Sequence, residues 1–219
     1  EETPVPDSEP TEDESAGPLS AEEAIARGLP DAYVRDTRLT FAPRNAYDFV
    51  WVPSFSWSPT GEQLIAVTHG APLGAEAPED SPVFDLTSFP VDDTYSAALV
   101  PQSGMWALPQ FSSPGPINEE AGDPLVAFLQ AVNPLDSVVS PYRLMIMDRD
   151  GSNRRMLFPA EGQPGLLPRN LSLQPFAWAP DGRQIALIYQ GNIYLIDVMT
   201  GLSQQVTGDG LVTNVRWSP

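Results

Sequence analysis

One short pattern, met twice in full and begun a third time, constrains this chain more than any other feature. Phe55-Ser-Trp57-Ser-Pro59-Thr-Gly61 followed by Gln63-Leu-Ile-Ala-Val67 matches Phe176-Ala-Trp178-Ala-Pro180-Asp181-Gly182 followed by Gln184-Ile-Ala-Leu-Ile188 almost position for position. Val215-Arg-Trp217-Ser-Pro219 opens a further copy. A degenerate copy lies between them, starting near Phe111-Ser-Ser-Pro114-Gly115 and continuing through Leu125–Leu129, Arg143–Asp148 and Arg155–Phe158. Repetition at roughly 50 residues signals stacked equivalent units, each covering the face its neighbour cannot bury alone.

Within a unit, short apolar runs alternate with Gly, Pro, Asp and Asn, the punctuation of consecutive antiparallel strands. The last copy is clearest. Its runs Pro175–Trp178, Gln184–Tyr189, Asn192–Asp197 and Ser203–Thr207 are separated by Pro180-Asp181-Gly182, Gln190-Gly191 and Met199-Thr200-Gly201. The two middle runs are continuously apolar, as expected of strands covered on both faces. Trp57, Pro59, Gly61, Trp178, Pro180, Asp181, Gly182, Trp217 and Pro219 are read as structural repeat residues that pack and turn the first hairpin of each unit.

At these residues the sequence resembles the TolB-like family of β-propeller repeats, with Trp178-Ala-Pro-Asp-Gly182, Ile185-Ala186, Ile193-Tyr194, Asp197 and Gln205-Val-Thr-Gly208 carrying the likeness. The resemblance implies an all-β chain: a propeller of four-stranded antiparallel blades at about 53–103, 104–159 and 173–209, with a fourth beginning at 212. A ring needs at least about four blades. The expectation is therefore that the chain continues past Pro219, or that residues 38–52 add outer strands to a further blade.

Residues 1–37 read differently. The first 25 residues hold nine acids and no base, with prolines at 4, 6, 10 and 18, which describes an extended, self-repelling arm. Ser20 and Glu23 form a capping box that predicts a short helix near 21–27, stopped by Gly28 and Pro30. An exported chain, cleaved or lipid-anchored just upstream of Glu1, fits such an arm, and the arm is expected to dock on a surface.

Composition then excludes classes of chemistry. With 29 acids against 11 bases, all of them Arg, the net charge is −18, which argues against a nucleic-acid partner. No apolar stretch approaches the ~20 residues of a spanning helix. Cysteine is absent, so thiol nucleophiles and thiolate metal sites have nothing to draw on, while Ser-His-Asp relays and His-based metal sites would depend on a residue used once, His69, which is read as a strand-end or loop residue rather than a general base. No cofactor motif is present. Asp148-Arg-Asp150-Gly151-Ser-Asn153 begins like a calcium loop but lacks the later acidic ligand, and is read as a hairpin turn. Asn170-Leu-Ser172 is formally a glycan sequon.

In a four-strand meander, the connections between strands two and three share a rim with those between blades. The long connections 69–81, 101–110, 131–141 and 159–173 all fall there. A candidate binding rim is accordingly assigned to Glu76, Glu79, Asp80, Asp92, Asp93, Asp136 and Glu161, since elaborated loops on a rigid scaffold carry function. The expected role is a non-catalytic platform for a protein partner at the cell surface or in the periplasm. Two alternatives are a gating propeller of a prolyl-oligopeptidase-like serine peptidase, its nucleophile beyond residue 219, and a glycan-binding protein using Trp51, Trp106 and Tyr142.

Overall fold

A computed structural model describes residues 54–69, 73–74, 81–92, 96–113, 124–167 and 174–218, all within the unit spanning residues 39–219. The arm at 1–37 and its helix lie outside the described residues, as do Glu76, Glu79, Asp80, Asp93, Trp51, Asn170 and Pro219.

The described residues form three four-stranded antiparallel sheets, each in simple sequence order. The first holds β1 (Phe55–Trp57), β2 (Gln63–His69), β3 (Phe84–Pro90) and β4 (Ala97–Val100). The second holds β5 (Gln110–Phe111), β6 (Leu125–Ala131), β7 (Tyr142–Asp148) and β8 (Arg155–Phe158). The third holds β9 (Phe176–Trp178), β10 (Gln184–Tyr189), β11 (Asn192–Asp197) and β12 (Ser203–Gln205). This is the all-β propeller arrangement the repeat predicted, an incomplete ring of three blades and the opening of a fourth.

The first hairpin of each blade closes in the same way. Ser58 N–H donates to Gln63 O at 2.8 Å, Ser112 N–H to Leu125 O at 2.8 Å and Ala179 N–H to Gln184 O at 2.8 Å. That register places Phe111 of the degenerate copy at the position of Trp57 and Trp178. The serine hydroxyls add a second clamp, each Oγ accepting from the same turn's backbone: Gln63 N–H to Ser58 and Leu125 N–H to Ser112, both at 3.1 Å. The equivalence extends to the outer strands. A register shift between Leu86 and Thr87 in the first blade recurs between Leu144 and Met145 in the second, and such bulges twist an outer strand away from its neighbour.

Alternation along the middle strands supplies both faces of each blade. Ile65, Val67, Leu86 and Val100 of the first blade meet Val126, Phe128 and Met147 of the second. The opposite face of the second blade, with Ala127, Leu129, Leu144 and Ile146, meets Trp178, Ile185, Leu187 and Ile196 of the third. This double coverage is why β6 and β10 are unbroken apolar runs. Full burial of a side chain such as Phe128 or Leu187 contributes about 2 kcal/mol. His69 ends β2 in a buried position, its ring stacked on Phe84 at 4.8 Å and Nε2 hydrogen-bonded with the Ser81 carbonyl.

Candidate functional site

The β2–β3, β4–β5, β6–β7 and β8–β9 connections leave the blades at one end, and on this rim three of them converge on Tyr142. Tyr142 begins β7 and is 0% exposed. Its hydroxyl donates to Ser137 O at 2.8 Å and accepts from Trp106 N–H at 3.1 Å. Met105 N–H donates to Ser137 Oγ at 3.2 Å, and the Trp106 indole N–H donates to Val138 O at 3.2 Å. These bonds lock the β4–β5 connection to the β6–β7 connection. The β8–β9 connection joins through reciprocal backbone bonds between Tyr142 and Leu166, at 2.7 and 2.8 Å. Tyr189 of the third blade donates its hydroxyl to Pro164 O at 2.9 Å.

Burial disfavours the phenolate and raises the Tyr142 pKa to about 12, outweighing the bonds to Trp106 and Ser137 that act in the other direction. The tyrosine therefore remains a hydrogen-bond donor at any physiological pH. Gly104 makes the convergence possible. Its φ is +98°, and a Cβ there would lie 2.6 Å from the Ala131 Cβ and 2.9 Å from the Tyr142 hydroxyl.

What this frame holds outward is apolar. The β6–β7 connection makes one turn of 3-10 helix at Pro134–Asp136, and its N-terminal end is secured by Asn133 N–H donating to Ser140 Oγ at 2.9 Å. Val138 and Val139 are 61% and 67% exposed, with Val132 and Leu135 also exposed beside them. Leu73 and Leu167 present further exposed side chains on the β2–β3 and β8–β9 connections. A loop whose polar atoms are satisfied internally while its valines face water is a built surface, since isolated apolar exposure needs no such support.

The candidate acids divide. Asp136 and Glu161 are exposed on this rim. Asp92 is a correction: it follows β3, in the β3–β4 connection, which leaves the blade at the opposite end. Val91 N–H donates to Glu62 O at 2.9 Å, placing that connection beside the β1–β2 turn. The strand-parity rule that defines the rim itself excludes Asp92, because a connection between third and fourth strands leaves at the other end. Of the three aromatics named for the glycan-binding alternative, Tyr142 is buried and cannot stack on a sugar, and Trp51 lies outside the described residues.

Tight turns on the opposite rim use their own carboxylates. Asp150 Oδ1 accepts from Ser152 Oγ at 2.6 Å and Ser152 N–H at 2.9 Å, and Asn153 Nδ2 donates to Asp148 Oδ2 at 2.6 Å. The Ser152 hydroxyl, then its N–H, holds the Asp150 pKa below the usual carboxylate value. Thr200 does the same for Asp197, through its N–H first and then its hydroxyl. The segment read as a hairpin turn thus forms one, between β7 and β8. Among the described residues there is no group of three or more His, Cys, Asp or Glu placed to hold a metal ion.

Sequence reasoning missed the Tyr142 hub and the valine pair. The available signal was Ser137-Val-Val-Ser140, an apolar pair outside any strand, flanked by serines and followed by Pro141.

With this geometry in view, the family described as the dipeptidyl peptidase IV (DPP IV) N-terminal region matches residues 145–217. Among solved structures, an oligogalacturonate lyase in complex with manganese is 16% identical, covering 70% of this chain and 40% of its own, at a TM-score of 0.43. The nidogen/laminin complex is 10% identical, covering 77% and 51%, at a TM-score of 0.43. A TolB from Agrobacterium tumefaciens is 16% identical, covering 73% and 47%, at a TM-score of 0.39. The chain spans between 40% and 51% of the length of these three structures.

Proposed function

We propose that this chain is a non-catalytic, TolB-like propeller module that binds a protein partner through the rim organised by Tyr142. The observation that carries this reading is the β6–β7 connection, where Val138 and Val139 are exposed while Ser137, Ser140 and Tyr142 hold the loop from beneath. Preorganisation lowers the entropic cost of docking, and an apolar centre on a rim that also exposes Asp136 and Glu161 suits a partner with an apolar anchor and basic surroundings. The same reading places the chain outside the cytoplasm, with the acidic arm as a tether lipid-anchored upstream of Glu1. Among the described residues no helix is long and apolar enough to cross a membrane.

A photo-crosslinking amino acid at Val138, expressed in the native host, tests the idea against the same probe at Thr200 on the opposite rim. A discrete adduct from Val138 alone is expected. Equal or absent adducts at the two positions overturn the rim assignment.

The match to the DPP IV N-terminal region over residues 145–217 favours a second reading, a propeller that gates a serine peptidase. The sequence contains no Gly-x-Ser-x-Gly elbow, so the nucleophile would come from a separate hydrolase domain. A reading frame that encodes such an elbow after this propeller would select the peptidase reading; its absence there would remove it.

A further inference from the structure

The chain contains five methionines and no cysteine, so every sulfur it offers to an oxidant is a thioether. Met105 and Met147 are 9% and 1% exposed, and Met145 packs against the core between the first two blades. Met156 and Met199 face solvent, at 38% and 64% exposure. These two differ in one respect. Met156 Sδ accepts from Arg143 Nη1 at 3.0 Å, whereas Met199 Sδ receives no donor among the described residues.

The second blade fixes that contact. Met145 of β7 is paired with Met156 of β8, and Arg143 lies two residues before Met145, on the same face of β7. Pairing of Arg143 with Gln130 of β6 holds its backbone in the sheet, so the guanidinium reaches along the face to the sulfur from a fixed base. A thioether sulfur carries two lone pairs and is a weak acceptor. The guanidinium engages one of them and leaves the other to react.

We propose that Met156 is a site of stereoselective oxidation by peroxides, at which Arg143 decides which side of the sulfur reacts. The free lone pair attacks one oxygen of hydrogen peroxide, and the S–O bond forms as the O–O bond breaks. The sulfur loses two electrons and becomes the sulfoxide, while the peroxide is reduced. The departing hydroxide takes the proton of the transferred oxygen and leaves as water. Because the sulfoxide is chiral, an engaged lone pair yields one epimer in excess. At Met199 both lone pairs are open, and the two epimers form alike. The oxidant is taken at the surface, and the buried Met105 and Met147 stay reduced. This inference does not depend on the rim or its partner.

Brief treatment of the folded 219-residue chain with millimolar hydrogen peroxide tests it. Tryptic cleavage after Arg155 and Arg169 places Met156 on a peptide with no other methionine. Sulfoxide reductases specific for each epimer then read the ratio. Reaction at the engaged lone pair first requires its hydrogen bond to break, so an excess of about fivefold is expected at Met156, against near-equal epimers at Met199. Arg143→Leu and Arg143→Gln each remove the guanidinium, and in either variant the Met156 ratio should fall to that of Met199. Urea unfolding identifies the variants that are folded, and either one suffices. Equal epimers at Met156 in the wild type, oxidation of Met156 only after unfolding, or an excess unchanged in a folded Arg143 variant overturns the proposal.

Discussion

Trp178 and Gln110 hold the second and third blades together in both directions. The indole N–H of Trp178 donates to Gln110 O at 3.1 Å, and Gln110 Nε2 donates to Phe176 O at 3.0 Å. Trp178→Phe keeps most of the packing and should cost about 1 kcal/mol, the value of a lost hydrogen bond. Trp178→Ala should cost about 3–5 kcal/mol through the cavity it leaves. Equilibrium urea unfolding checks both, with the midpoint shifting and the slope unchanged.

Tyr142 makes stability fall in alkaline solution. Its folded pKa of about 12 lies above the unfolded value near 10, so between these the unfolded chain releases a proton that the folded chain retains. The contribution is complete below pH 10 and declines up to pH 12, by about 1.4 kcal/mol per pH unit at most. Urea melts of the wild type and Tyr142→Phe across this window should converge as pH rises. A constant difference between them would refute the assignment.

Gly104→Ala should disturb the rim before the blades. Beyond the positive φ, the new methyl meets Ala131 and the Tyr142 hydroxyl. A loss of about 2 kcal/mol or more is expected from combined strain and overpacking. A lowered Tm, with increased hydrogen exchange at Trp106 and Val138, is the measurement.

The valine pair is predicted to be silent for folding. Val138→Asp with Val139→Asp changes exposed side chains only, so stability should stay within about 0.5 kcal/mol. Partner capture through the rim should be lost in the same variant. Thermal unfolding and the crosslinking assay separate the two effects.

The acidic turns give a weaker effect of opposite sign. Asp150 and Asp197 have depressed carboxyl pKa values, so their contribution is present at neutral pH and lost as pH falls through the folded pKa. Both carboxyls are well exposed, and solvent screening keeps the effect small. Asp197→Asn should flatten the acid limb of a pH–stability curve slightly while leaving the Tyr142 limb unchanged.

Strand order, the three blades and the turn between β7 and β8 were legible in the sequence because they are local. A blade's strands follow one another within about fifty residues, and each turn declares itself through Gly, Pro or a carboxylate that bonds its own backbone. The Phe111 copy was legible despite losing its tryptophan, since Leu125–Leu129 and Arg143–Asp148 kept the apolar runs. What only the tertiary structure decided was what gathers at each rim. Asp92 was grouped with the long-loop acids, and strand parity sends it to the other rim. Tyr142 and Val138 carry no motif: one became a buried hub and the other an exposed tip through contacts with Trp106, more than thirty residues away in sequence, and, for Tyr142, with the nearby Ser137. Local chemistry is written at each turn, whereas a rim is assembled from segments that share nothing until the blades stack.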